Sequence, residues 1–407
     1  MCDERNYEMK DIRKKLERNI KLDYMYTALN NLNMMNFVWV LYLSHCGMSL
    51  AQIGMLEGIF HVTSTVCEIP SGAISDLFGR RNSMIVGRIC IAISCVIMLF
   101  TRSFGGFACS FIIQALGYNF NSGSEEALVY DSAKLSGQEE NYLKINGRIN
   151  ILIEVSQIFA TVVGGVLAEY SYTYCYIACF SIAVFSVAPL LFMTEPPITR
   201  NNMKKNSWSV KFCEHFKECF LILSGNRDIL KIILFYSGIF IMDASFYFYG
   251  QQYFSERGFD KIQIGFLLMS VGIASSLGAV LSERVYRKIG EMISGIHAIC
   301  ISICIVTFGI GGTTFAMVAF VLPGFLSAML YPVQSNILNS LIPSEQRATL
   351  ISVNSMCFSM MMIITFPVIG GLADEFGLDN VFTVLGIIFL VCALGCFSPL
   401  LKSERKC

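Results

Sequence analysis

Charge is scarce in this sequence: 15% of its 407 residues are Asp, Glu, Lys or Arg, against about 25% in soluble domains. With 54% apolar residues, that scarcity excludes an ordinary soluble domain and a disordered chain alike. Several chemistries are missing as well. There is no phosphate-binding loop of the Walker type, so this chain does not drive its work with ATP. No His-Glu-x-x-His or comparable constellation offers a metal site, and none of the 16 cysteines stands in a Cys-x-x-Cys pair. Cys90, Cys95, Cys300 and Cys304 lie inside apolar runs, where free cysteine acts as a small hydrophobe. No cofactor, metal or catalytic centre is expected. Nucleic acid is not an expected partner either, because the basic residues form no patch.

What the chain does have is apolar runs long enough to cross the hydrocarbon core of a bilayer, which takes about 20 helical residues. Twelve are placed near 23–45, 50–70, 83–100, 105–130, 148–169, 173–193, 229–253, 262–281, 292–311, 314–338, 348–370 and 379–400. They are continuously apolar rather than alternating, and too long for barrel strands of about ten residues. The lipid bilayer is therefore the surrounding medium.

The basic residues test this count independently. With twelve spans and the N-terminus inside, all of the 30 Lys and Arg except Arg102, Arg257 and Lys261 fall on or near the cytoplasmic side. A miscounted span would scramble that asymmetry. Both termini are thus expected in the cytoplasm of a multi-pass protein of the cell membrane. Residues 1–22 carry seven of these charges and read as a basic arm against anionic lipid, not as a cleaved signal.

The long polar link at 195–228 divides the spans six and six, and the halves echo one another. Gly72-Ala73-Ile74-Ser75-Asp76 returns loosely as Gly278-Ala279-Val280-Leu281-Ser282-Glu283. Gly164-Gly165-Val166-Leu167-Ala168-Glu169 returns as Gly370-Gly371-Leu372-Ala373-Asp374-Glu375. Duplicated halves are a common build of secondary transporters. The expected organisation is a basic arm at 1–22, a six-helix bundle at 23–194, a cytoplasmic loop at 195–228, a second six-helix bundle at 229–401 and a tail at 402–407.

Between the second and third spans, Gly72, Asp76, Gly79, Arg80 and Arg81 resemble the signature loop of the major facilitator superfamily. Glu68 and Pro70 just upstream resemble the variant of that motif in a tetracycline-efflux branch. The likeness extends over the whole chain through the span count and the six-plus-six split. It implies an all-α membrane protein of twelve transmembrane helices in two pseudo-symmetric six-helix bundles, the major facilitator fold. It also implies a secondary transporter rather than an enzyme. Residues 72–81 are expected to form a gate loop in which Asp76 accepts hydrogen bonds from another helix's N-terminus, near Arg347 to Ile351. Gly72 and Gly79 would let the backbone turn and approach, while Arg80 and Arg81 pair with acids such as Asp131.

Transport needs polar groups at depth, where each is costly enough to be a functional candidate. Gln114, Tyr118, Asn121 and Glu125 follow helical spacing and share one face of the fourth span. Tyr26, Asn30 and Asn33 do so in the first span, Tyr236, Asp243 and Tyr247 in the seventh, and Tyr331, Gln334 and Ser335 cluster in the tenth. In the resembled family these four spans line the substrate cavity, so these faces are the expected substrate-binding residues. Proton coupling requires a buried carboxylate that loads and unloads near neutral pH. Asp243 and Glu154 lead, followed by Glu125, Glu126, Glu57 and His61. An arginine that drug–proton exchangers often carry three residues before the position of Gln114 is replaced here by Phe111. The expectation is proton-linked export of an amphipathic, drug-like small molecule by a monomer, with uptake of a small polar metabolite as the alternative. A transport-dead scaffold or sensor is the reading from another class.

Overall fold

The computed structural model describes residues 2–197, 227–290, 292–340 and 347–404, and among them there are helices and turns but no strand. In the first half lie α1 (Cys2–Asn30), α2 (Trp39–His45), α3 (Leu50–Phe78), α4 (Arg80–Phe100), α5 (Phe104–Leu135), α6 (Tyr142–Tyr170), α7 (Tyr172–Phe185) and α8 (Val187–Phe192). In the second lie α9 (Arg227–Glu256), α10 (Lys261–Ile289), α11 (Met292–Ile310), α12 (Thr313–Ser340), α13 (Arg347–Phe376) and α14 (Leu378–Glu404). Helices satisfy every backbone group internally, which lipid demands. Nine stretches among the described residues are long and apolar enough to cross a membrane by length and composition.

The twelve expected runs coincide with helices, the first and the sixth being interrupted, and the halves repeat one packing scheme. The first and fifth spans pack together in each half, as α1 on α6 and α9 on α13. The third and sixth do so as α4 on α7 and α11 on α14. Glycines set the closest crossings. A Cβ on Gly87 of α4 would sit 2.9 Å from Gly117 O of α5, and one on Gly117 equally close to Gly87 O. The described residues group into two compact units, Met1–Asn36 with Val62–Asn206 and Phe37–His61 with Ser207–Cys407.

The first span is not one helix. α1 stops at Asn30 and regular structure resumes only at Trp39. Four asparagines, at 30, 31, 33 and 36, fall in this stretch, and asparagine side chains compete for backbone groups. Asn31 Nδ2 donates to Thr27 O at 2.9 Å, and Met35 N donates to Asn33 Oδ1 at 3.1 Å. Open backbone survives at membrane depth only where protein covers it, and Met34, Met35, Phe37 and Val38 are buried. The sixth span is likewise interrupted, at Ser186 between α7 and α8.

The expected gate loop over 72–81 is not a loop. α3 runs on to Phe78 and α4 begins at Arg80, so Gly79 alone makes the turn. Its φ of +96° and ψ of 144° are open almost only to glycine. Gly72 has no such role: it lies within α3, and an added Cβ there would meet nothing within 4 Å.

In the second unit, the start of α3 is held by a distant carboxylate. Asp374 of α13 accepts from Leu50 N at 2.8 Å through Oδ1 and from Ala51 N at 2.9 Å through Oδ2. Ser49 and Gln52 close the same helix end reciprocally, Ser49 N donating to Gln52 Oε1 and Gln52 N to Ser49 Oγ. Tyr249 of α9 donates its one hydroxyl proton where it lies 3.2 Å from Leu50 O and 2.9 Å from Phe366 O. Gly54 brings the backbones together, since a Cβ there would lie 2.6 Å from Pro367 Cα. A carboxylate on two N-terminal amides interacts with both the hydrogen-bond donors and the helix dipole.

Two predictions follow from this local chemistry, both read by thermal unfolding of the purified full chain. Gly79→Ala should destabilise by about 1–3 kcal/mol, the penalty of a non-glycine residue in that region. Gly72→Ala should be neutral or stabilising by about 0.5–1 kcal/mol, as for any open helical glycine; equal effects at both positions would contradict the assignment. Asp374→Asn should lower stability by about 1–2 kcal/mol, because a neutral amide offers one acceptor where two amides need one each. An unchanged midpoint would show that this contact holds nothing.

Candidate functional site

In the second unit, α9, α10 and α12 line an open cavity of about 450 Å³. Gly324 of α12 opens the crossing with α10, since a Cβ there would stand 2.6 Å from Val271 Cγ1 and 2.9 Å from Ser275 Oγ. Six of the lining residues are aromatic. Tyr247 stacks on Phe320 at a centroid distance of 6.3 Å and 10° between planes. Phe240 meets Tyr331 edge-on at 6.1 Å. Asp243 is the one charged residue among the lining side chains, with Ser327 beside it. Three residues marked in the sequence, Asp243, Tyr247 and Tyr331, thus share one chamber.

Other marked residues of this unit go elsewhere. Tyr236 is fully buried and its hydroxyl lies 2.7 Å from Ser294 Oγ, an interhelical bond of the core. Gln334 is buried and donates from Nε2 to Asn354 Oδ1 at 3.1 Å. The side chain of Ser335 lies outside the described residues. His61 Nε2 is 3.6 Å from Glu57 Oε1, and Nδ1 is 3.2 Å from Ser359 Oγ. Phe358 packs edge-on against the same ring.

In the first unit, Tyr26 is fully buried and donates to Asn121 Oδ1, while Asn121 Nδ2 donates to Glu125 Oε2 at 2.9 Å. Asn30 Oδ1 accepts from Arg88 Nη1 at 2.5 Å, and Arg88 Nε donates to Ser186 Oγ at 2.6 Å. Arg88, 6% exposed in the middle of α4, was not marked in the sequence. Its signal was an arginine well inside an apolar run, yet the run's overall hydropathy hid it. Asn33 Oδ1 accepts from Cys179 Sγ at 3.3 Å. Gln114 is half-buried, whereas Tyr118 is 57% exposed and departs from the polar stripe. Glu154 is exposed on α6, beside the exposed Ile151 and Val155, so burial does not single it out.

At the α3–α4 turn, Arg80 forms an ion pair with Asp131 and donates to Ala127 O at 2.7 Å. Arg81 Nη1 reaches Met193 O at 3.1 Å. Glu195 crowns the start of α4, accepting from Arg80 N at 2.7 Å and Arg81 N at 3.0 Å. Glu195 was read only as the opening of the polar link; nothing in its local sequence pairs it with residues 114 and 115 positions away. Asp76 and Glu68 are exposed on the last turns of α3.

The first unit holds polar side chains at depth inside its helices, and the second holds a chamber with a single carboxylate among its lining residues. Comparison with known proteins agrees in kind. The Major Facilitator Superfamily model matches residues 25–315 and 292–406. The uncharacterized MFS-type transporter YxaM of Bacillus subtilis (strain 168) is 22% identical over 389 residues, covering 90% of this chain and 92% of that one. Among solved structures, a mutant of the nucleoside transporter NupG superposes with a TM-score of 0.77 at 14% identity, covering 96% of this chain and 99% of that one. A D-xylose-proton symporter does so with a TM-score of 0.66 at 17% identity, covering 92% and 95%. With the family matched over nearly the whole chain, this multi-pass membrane protein is a transporter and not an enzyme, and it belongs to the Major Facilitator Superfamily.

Proposed function

We propose that the chain exports amphipathic, drug-like small molecules in exchange for protons, by alternating access, as a monomer in the cell membrane with both termini cytoplasmic. The Asp243 cavity carries this reading. Its walls supply the rings of Phe240, Phe246, Tyr247, Phe248, Phe320 and Tyr331, which suit a flat apolar body and attract a positive group through their faces. Asp243 supplies one ionisable carboxyl group among largely apolar lining residues.

A carboxylate in such a place has two ways to be neutralised: it takes a proton or it pairs with a cationic substrate. The two occupants exclude one another, which is the physical content of exchange. When the substrate's amine leaves, a proton replaces it; when that proton leaves, the site is ready for the next substrate. The alternative, uptake of a small polar metabolite, would be favoured for an ionic substrate by paired charges of both signs in the cavity. The lining side chains include no Lys or Arg, which supports the amphipathic reading over an anionic or zwitterionic metabolite.

A resistance panel in a bacterial host stripped of its own efflux pumps tests this directly, with tetracyclines, cationic dyes and other amphipathic compounds. Wild type should raise tolerance several-fold for at least the cationic members. Asp243→Asn should reduce protection to the level of the empty vector at normal membrane abundance, and Phe320→Ala should weaken it without abolishing it. Protection by wild type against no compound, with the protein present in the membrane, would remove the export reading.

A further inference from the structure

Asp23 of α1 is fully buried at 0% exposure, and its Oδ1 has no hydrogen-bond partner among the described residues. Its other oxygen, Oδ2, lies 3.5 Å from the hydroxyl of Thr27, one turn along the same helix. Thr27 is also fully buried, and that hydroxyl is 2.9 Å from Glu125 Oε1 on α5. Glu125 Oε2 already receives Asn121 Nδ2, and Asn121 Oδ1 receives Tyr26.

Bond direction then decides the protonation state. A threonine hydroxyl has one proton to give, and an ionised carboxylate can only accept. Thr27 lies closer to Glu125 and donates there, which leaves an ionised Asp23 with no donor: one oxygen would face Thr27 lone pairs and the other would face nothing. Two such charges in one low-dielectric site also repel strongly. If Asp23 carries a proton on Oδ2, the conflict vanishes. Asp23 donates to Thr27 Oγ, Thr27 donates to Glu125, and the chain runs head to tail.

The surrounding elements leave that conclusion intact. The charged and titratable groups whose charges bear on the site are Arg88 and Cys95 on α4, Glu126 and Tyr130 on α5, Tyr142 on α6, Cys179 on α7 and Tyr26 on α1 itself, while α8 brings none. Glu126 is exposed and adds only negative charge. Arg88 is the one cation of the set, and two of its nitrogens are committed to Ser186 and Asn30. A single guanidinium balances one carboxylate of the two.

We propose that Asp23, Thr27 and Glu125 form a proton-binding site in the first unit, in which the two carboxylates share one proton that rests on Asp23. Transfer is balanced within the chain. The Asp23 O–H bond breaks as its proton joins Thr27 Oγ, and the original Thr27 proton passes to Glu125 Oε1. Asp23 becomes the anion, Glu125 the acid, and Thr27 is regenerated. The use of this site in transport rests on the proton-linked reading above; its existence does not.

Infrared difference titration of the purified full chain tests it without any substrate. Wild type at neutral pH should show the carbonyl stretch of a protonated carboxylic acid, sensitive to exchange into heavy water. Asp23→Asn should remove that component. Thr27→Val keeps both carboxylates and should shift the band, because the acceptor of the Asp23 proton is gone, while Thr27→Ser should restore it. These two variants also serve should Asp23→Asn fail to elute as a monodisperse peak. A spectrum unchanged by both Asp23→Asn and Thr27→Val would overturn the proposal. The band with no compound-driven proton movement would count against proton-linked export alone, whereas proton movement without the band would count against this site alone.

Discussion

Everything in this structure follows from one constraint: in lipid, a polar group must find its partner inside the protein. The constraint makes the chain helical, and it also dictates where helices are allowed to end. The first span opens between Asn30 and Trp39, where Asn33 accepts from Met35 N and the Asn31 side chain joins its own backbone N–H on Thr27 O. The sixth opens at Ser186, whose hydroxyl accepts from the buried Arg88. The start of α3 is supplied with acceptors by Asp374, a residue 324 positions away for Leu50. Arg88, a charge within a span, is held by Ser186 and Asn30, and where a donor is missing, at Asp23, the proposed remedy is a proton.

The same constraint separates two kinds of buried polar residue. Tyr236, Gln334 and Tyr249 each have their partners within the core and hold helices together. Asp243 instead faces open volume among aromatic rings. A core hydroxyl of the first kind contributes on the order of 1 kcal/mol of net stability. A carboxylate of the second kind costs stability unless something binds it, and a protein that retains one has a use for the occupant.

This distinction also explains how far the sequence could be read. Twelve spans were legible because hydropathy integrates over about 20 residues and tolerates single exceptions. That tolerance is also why Arg88 and Asp23 went unnoticed, one averaged away inside a run and the other at its edge. Helical spacing placed Asp243 and Tyr247 on one face, and they do share a cavity with Tyr331. Spacing could not say that Tyr236, on the same helix, turns to Ser294 instead. The gate motif was recognised by its residue types, but its shape was not, because whether ten residues make a loop or a one-residue turn depends on the φ of Gly79. The capping roles of Asp374 and Glu195 were not legible for a different reason: a carboxylate that caps a helix from far along the chain leaves no local signal of its partner.

The central claim is that a buried carboxylate in an aromatic chamber exchanges a proton for a cationic amphipathic substrate. Proton movement in liposomes containing the purified chain and a pH-sensitive dye, challenged in turn with the compounds of the resistance panel, tests it most directly. The account predicts that at least one cationic compound evokes proton flux in wild type and that the same compound evokes none in Asp243→Asn. Flux that persists undiminished in Asp243→Asn, or transport of a compound across the wild-type liposome with no proton moved, would contradict it.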